Sequence, residues 1–140
     1  MSNRFEDLTV WQESMNLCKS ILTYFENSKN FSFKDQITRS AISIPSNIAE
    51  GFERESNKEF IRFLVISKGS CGELRTQLYI GIEAGYIKKE VGLELVEKAK
   101  EISYMLNSLI KKRKAFLENK IFCLLSYLSI HIFTFVPLIH

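Results

Sequence analysis

Four times along this chain, apolar residues return at every third or fourth position, the period of a helix and not of a strand. The first set is Leu8, Trp11, Met15, Cys18, Leu22 and Phe25, with Leu17 and Ile21 widening the stripe. The second is Phe33, Ile37, Ala41, Ile44 and Ile48, and the third is Phe60, Leu64, Ser67, Cys71, Leu74, Leu78 and Gly81. The fourth is Val91, Leu95, Ala99, Ile102, Leu106 and Leu109, opposite a charged face that pairs Glu94 with Lys98. A helix with an apolar stripe must bury it against another element, and no alternating segment offers a sheet. Short connectors make successive helices antiparallel neighbours. The expected fold is all-α: an up-and-down antiparallel four-helix bundle over 1–114, with helices at about 5–27, 33–53, 57–84 and 89–114 and an apolar C-terminal extension over 115–140.

Local signals punctuate this pattern. Asn3, with Glu6 and Asp7 after it, suits a helix start; Asn27-Ser28-Lys29-Asn30 breaks the first helix, and Ser32 can cap the second. Pro45 falls inside the second stripe, where a proline removes a backbone donor, crowds the carbonyl of Ala41 and costs roughly 3 kcal/mol. The second helix is therefore expected to kink, with Ser46 and Asn47 hydrogen-bonding backbone groups that Pro45 frees. Ser56 and Glu59 form an S-x-x-E capping box for the third helix, and Gly85 suits a left-handed cap at its end, with Ile87 beside it. Gly69 and Gly72 lie at helix-interior positions, each costing about 1 kcal/mol against alanine. A close helix–helix crossing would repay that; a phosphate loop is the sharper alternative, but the spacing fits neither the Walker pattern nor GxGxxG.

Charge is local. The net +3 arises over residues 111–120, where Lys111, Lys112, Arg113, Lys114 and Lys120 face Glu118 alone. Cys18, Cys71 and Cys123 form no CxxC pair, which argues for plain thiols in a reducing compartment. Met1 to Asp7 is polar and acidic where a secretory leader is basic and then apolar, so the expected location is cytoplasmic. Residues 121–140 contain no Asp, Glu, Lys or Arg. Residues 121–139 are long enough for a membrane anchor on a cytoplasmic domain, with the basic run before them. A continuation of the fourth helix that packs on the bundle or on a neighbour, and an extension with no evolved role, are the other readings.

Little here suggests catalysis. His131 and His140 both lie in the apolar tail, so the Glu-x-x-His pairs of di-iron bundles are missing, and neither a metal nor a cofactor is expected. Glu50 and Glu73 are candidates to face inward and share a site with Arg39 or Arg75, as a structural ion pair before any acid–base role. Nucleic-acid binding is better founded. Arg39, Arg54, Lys58, Arg62, Lys68 and Arg75 come from the two central helices and form a candidate phosphate-binding surface, against the plainer reading of a solvated face balanced by Glu53, Glu55 and Glu59.

The motifs carry a resemblance. Phe5-Glu6-Asp7-Leu8-Thr9-Val10-Trp11, Ile44-Pro45-Ser46-Asn47-Ile48-Ala49-Glu50-Gly51, Lys58-Glu59-Phe60 and Ser67-Lys68-Gly69-Ser70-Cys71-Gly72-Glu73-Leu74, then Leu106 to Ile110, resemble the four-helix-bundle family of 23S rRNA intervening-sequence proteins. That family is similar to the accessory variability determinant of diversity-generating retroelements, a pentameric bundle that binds nucleic acid and a reverse transcriptase. The resemblance implies a non-enzymatic homo-oligomer, a pentamer by analogy, that binds structured RNA as an accessory or scaffold and takes a protein partner such as a reverse transcriptase. It casts Pro45, Ser46, Asn47, Glu50, Gly51, Gly69, Ser70 and Glu73 as structural-motif residues. The alternative function is a protein-interaction module, membrane-tethered through the tail.

Overall fold

The computed structural model describes residues 4–133, with side chains through residue 126. One turn of 3-10 helix at Phe5–Asp7 precedes four α-helices: α1 (Thr9–Phe25), α2 (Phe31–Glu53), α3 (Asn57–Glu83) and α4 (Lys89–Phe133). There is no strand among the described residues. Contacts run α1 to α2, α2 to α3 and α3 to α4, then close α4 on α1, which is the cycle of an up-and-down bundle. The α2–α3 interface is the most extensive and α1–α4 the least.

The buried stripes of α2, α3 and α4 follow the spacing of the sequence. Ile37, Ala41, Ile44 and Ile48 meet Phe60, Leu64, Cys71, Leu74 and Leu78, with Leu95, Ala99, Ile102 and Leu106 completing the core. In α1 the buried face is rotated from the expected seam. Val10, Ser14, Leu17, Cys18, Ile21 and Phe25 point inward, while Met15 and Leu22 are exposed. Two overlapping stripes compete there, and packing selects the one containing Ser14, whose hydroxyl donates to the carbonyl of Trp11 (2.7 Å) and so is buried at little cost.

Two starts also differ. Phe5–Asp7 is a separate turn and α1 begins at Thr9; Asn3 lies outside the described residues. α2 begins at Phe31, so Ser32 falls inside it and Asn30 holds the cap position without a side-chain bond. The third helix keeps half of its capping box. Ser56 Oγ accepts from the Glu59 amide (3.4 Å), but the Glu59 carboxylate turns to Arg62 instead (3.1 Å). Gly85 ends the turn after α3 at φ +72°, a conformation costly for any residue with a Cβ, and Ile87 packs into the core behind it.

Helix α2 runs unbroken through Pro45. Around it, hydroxyl and amide donors converge on the carbonyls of the turn before: Ser46 Oγ on Ile42 (2.8 Å), Asn47 Nδ2 on Ser43 (2.7 Å) and, from α3, Ser67 Oγ on Ile44 (2.9 Å). The carbonyl that Pro45 deprives of its amide, that of Ala41, is not among these acceptors. A polar ladder continues between the two helices. Ser43 bonds Ser70 (2.8 Å), and buried Ser40 donates to Gln77 Oε1 (2.5 Å), whose amide donates to Glu73 (3.3 Å). Satisfied in this way, small polar groups fix the register of α2 on α3. At the end of the crossing, Gly51 brings the backbones together: a Cβ there would lie 2.5 Å from Phe63 Cβ.

Gly69 behaves differently. It is exposed, and a Cβ added to it would meet nothing within 4 Å, so the expected crossing at Gly69 does not occur inside the chain.

The fourth helix does not stop at 114. It continues to Phe133, so much of the expected tail is helix. At 1.5 Å per residue, the helix projects about 35 Å beyond the last core side chain, Ile110. Of the segment 121–139 read as a membrane anchor, residues 134–139 lie outside the described residues, and among those described no helix is long and apolar enough to cross a membrane.

Candidate nucleic-acid interface

The turn from α2 to α3 takes only Arg54, Glu55 and Ser56, so side chains on either side of it must share one end of the bundle. Beneath them lies an aromatic cap: Phe52 packs edge-on against Phe60 (5.7 Å between centroids) and against Phe5 (6.5 Å), which in turn meets Trp11 (5.3 Å). Three guanidinium groups lie on aromatic rings of this end. Arg54 and Arg62 flank Phe63, at 5.4 and 5.1 Å from its centroid, and Arg113 of α4 lies 5.0 Å from that of Phe60. The α4 backbone is tied in as well, since Asn57 Nδ2 donates to the Arg113 carbonyl (3.0 Å). A ring face attracts a cation and fixes its plane, leaving N–H edges for an outside acceptor.

Of the six basic residues that the sequence assigns to this surface, the fold gathers three. Arg54, Lys58 and Arg62 share the corner, with Lys58 one turn from Arg62 and exposed. Arg39 lies on α2 about 22 Å from Arg54 at 1.5 Å per residue, bonded to Asp35 (2.7 Å). Lys68 leans toward α4 and donates to Asn107 Oδ1 (3.1 Å). Arg75 is half-buried, and its Nε is buried with no hydrogen-bond partner. Arg113 joins the corner although the sequence reading leaves it out. The signal for it is the basic run at 111–114: in an antiparallel bundle of these lengths, this part of α4 must return beside the start of α3.

The corner cations are paired, but loosely. Arg54 bonds Glu50 (2.8 Å) and Arg62 bonds Glu59 (3.1 Å), with side chains half or more exposed on the arginine side. Exposed pairs contribute only about 0–1 kcal/mol, so a phosphate can exchange for the carboxylate at small cost. Glu50 and Glu73 do not face inward as expected. Both are exposed, Glu50 on Arg54 and Glu73 on Gln77, and they share no site with Arg39 or Arg75.

The remaining chemistry is structural. Burial pushes the Cys71 thiol up to about 12, against the pull of the Arg75 guanidinium, and also raises Cys18; both stay protonated and unreactive at neutral pH. Hydrogen bonding from Lys98 lowers the Glu94 carboxyl, and Glu97 raises Lys100. Between α1 and α4 an open hollow of about 280 Å³ is lined by Glu13, Ser20, Lys98, Glu101 and their apolar neighbours, with no cysteine or histidine at its walls. Among the described residues no three His, Cys, Asp or Glu side chains converge as a metal site would need.

A small all-helical bundle with a basic end over an aromatic cap is the class these features define. A family model described as 23S rRNA-intervening sequence protein matches residues 6–108, and the chain belongs to that family. A crystal structure of a protein of unknown function from the S23 ribosomal protein family, from Bacteroides thetaiotaomicron, is similar: 30% identical, TM-score 0.70, covering 74% of this chain and 99% of that one. No curated protein matches the chain. The family match ends at residue 108, before the projecting part of α4.

Proposed function

We propose that this protein is a non-enzymatic, homo-oligomeric bundle that binds structured RNA at its basic end and acts as an accessory or scaffold. The observation that carries the reading is the convergence of Arg54, Lys58, Arg62 and Arg113 on one end, with the three guanidinium groups over the rings of Phe60 and Phe63. The family's association with rRNA intervening sequences supports RNA as the ligand. Such a surface reads phosphate and shape, since the guanidinium groups are fixed on one end of a rigid body and none sits on an element that enters a groove.

Self-association makes the modest charge sufficient, because each subunit repeats it. The face for it is the outer side of α3, where Val65, Gly69, Gly72, Thr76 and Ile80 form a ridge with no charged side chain. Gly69, with open space around it inside the chain, and Gly72, whose one neighbour is the tip of the Arg75 side chain at 4.0 Å, allow another backbone to approach. Five subunits and a protein partner such as a reverse transcriptase are what the resemblance implies. Titration of a labelled structured RNA at several salt concentrations tests the reading. Binding should weaken with a log–log slope of about −0.7 to −0.9 per phosphate neutralised. Absence of binding at low salt would sink it.

A further inference from the structure

The projecting end of α4 changes character along its length and not around its girth. Lys111, Lys112 and Lys114 form an exposed collar where the helix leaves the bundle. Beyond it, Ile121, Phe122, Leu124 and Leu125 are each more than half exposed, Phe122 at 73%. At 100° per residue, Phe122, Cys123 and Leu124 point about 100°, 200° and 300° from Ile121, so exposed apolar groups lie on every side of the helix. A helical pair would want a single seam with polar flanks. A rod apolar on most sides with a cationic collar suits a medium that is apolar all round and anionic at its rim.

We propose that this end of α4 docks the protein on an anionic phospholipid bilayer, the lysine collar among the headgroups and the Ile121–Leu125 segment among the acyl chains. Residues 121–133 measure about 20 Å, against a hydrocarbon core of about 30 Å, so the described helix reaches into the bilayer without crossing it. The proposal is independent of RNA binding, which rests on side chains within the bundle.

Cys123 supplies the probe. It is exposed in the middle of the segment, while Cys18 and Cys71 are buried, so an environment-sensitive fluorophore at neutral pH labels Cys123 selectively. The full chain is mixed with vesicles of phosphatidylcholine alone or with phosphatidylserine. The expected result is partitioning onto the anionic vesicles only, with a blue shift of the probe and quenching by a lipid-borne quencher. Lys111→Gln, Lys112→Gln and Lys114→Gln together should weaken partitioning about a hundredfold. Phe122→Asp with Leu125→Asp should abolish it while leaving the helical signal of the bundle and its binding of RNA unchanged. Partitioning that is absent, or that survives the three lysine substitutions, overturns the proposal. So does a blue-shifted probe without vesicles whose signal and assembly mass both fall in the Phe122→Asp, Leu125→Asp variant, which would assign the segment to a second copy of the chain.

Discussion

The two ends of the bundle are built from the same materials and differ in what they leave outside. Each is closed by aromatic rings: Phe5, Trp11, Phe52 and Phe60 at the α2–α3 corner, and Phe25, Phe33, Tyr24 and Tyr86 where the other two connectors lie. At the far end the surrounding charges balance, with Lys29, Lys34, Lys88 and Lys89 among Glu26, Asp35, Glu83 and Glu90. Two of its side chains also bond the chain's own backbone: Lys34 donates to the Glu26 carbonyl (2.5 Å), and Tyr24 Oη accepts from the Lys88 amide (2.9 Å). At the corner, three guanidinium groups lie over the rings, at 5.0 to 5.4 Å from their centroids, where the far end offers lysines. Aromatic caps serve stability at both ends; only one end doubles as a cationic platform.

Charge substitution offers the most direct way to break that contrast. Replacing Arg54, Arg62 and Arg113 by Gln should lower RNA affinity by at least tenfold and flatten the salt slope by about 1 for each phosphate the surface no longer holds. The same change at Lys29, Lys88 and Lys89 should leave both nearly unchanged, and equal losses at the two ends would erase the distinction. Glycine packing sharpens it next. Gly51→Ala sets a Cβ against the rigid Phe63 Cβ and should cost about 2–3 kcal/mol in denaturant unfolding. Gly81→Ala at the far end meets the tip of the Phe33 ring (2.9 Å) and Ile87 Cγ2 (3.3 Å), side-chain ends and not a Cβ, and should cost less, about 1 kcal/mol.

Between the ends, Ser67→Ala removes a buried donor to Ile44 and should cost about 1 kcal/mol. A pH titration probes the same waist. The folded-state pKa of Cys71 is raised, so its contribution is fully present below the unfolded value near 9 and is lost as pH rises toward about 12. Stability should fall over that window by at most about 1.4 kcal/mol per pH unit from this group. Cys71→Ala should remove that part of the slope. The smallest effect is Tyr24→Phe, which forfeits one exposed hydrogen bond at the far end and should cost about 0.5 kcal/mol.

How much of this is legible in the chain differs by level. Helix identity, order and most of the buried set follow from the three–four spacing, although α3 also carries Val65, Ile66, Tyr79 and Ile80, which stay outside. In α1 two stripes overlap, and only the packed partner decides that Met15 and Leu22 stay outside. A basic run reads as a terminus, which puts the end of α4 at 114; yet lysine and arginine are good helix formers, and nothing there breaks the helix. The corner is half legible. Arg54, Lys58 and Arg62 are near in sequence, but the approach of Arg113 depends on helix lengths matching across the bundle, and the dispersal of Arg39, Lys68 and Arg75 depends on which way each faces.

The length of α4 couples what lies at its two ends. From Leu93 to Phe133 this helix contains neither proline nor glycine, the residues at which sharp bends almost always arise. Arg113 and the Ile121–Leu125 segment therefore sit on a single strut, not on a leash. Whatever grips the tip dictates the tilt of the cationic platform as well as its whereabouts. A polyanion held there would be presented at one fixed height and angle, and inserting two glycines near Ala115 would release that orientation while sparing both attachments.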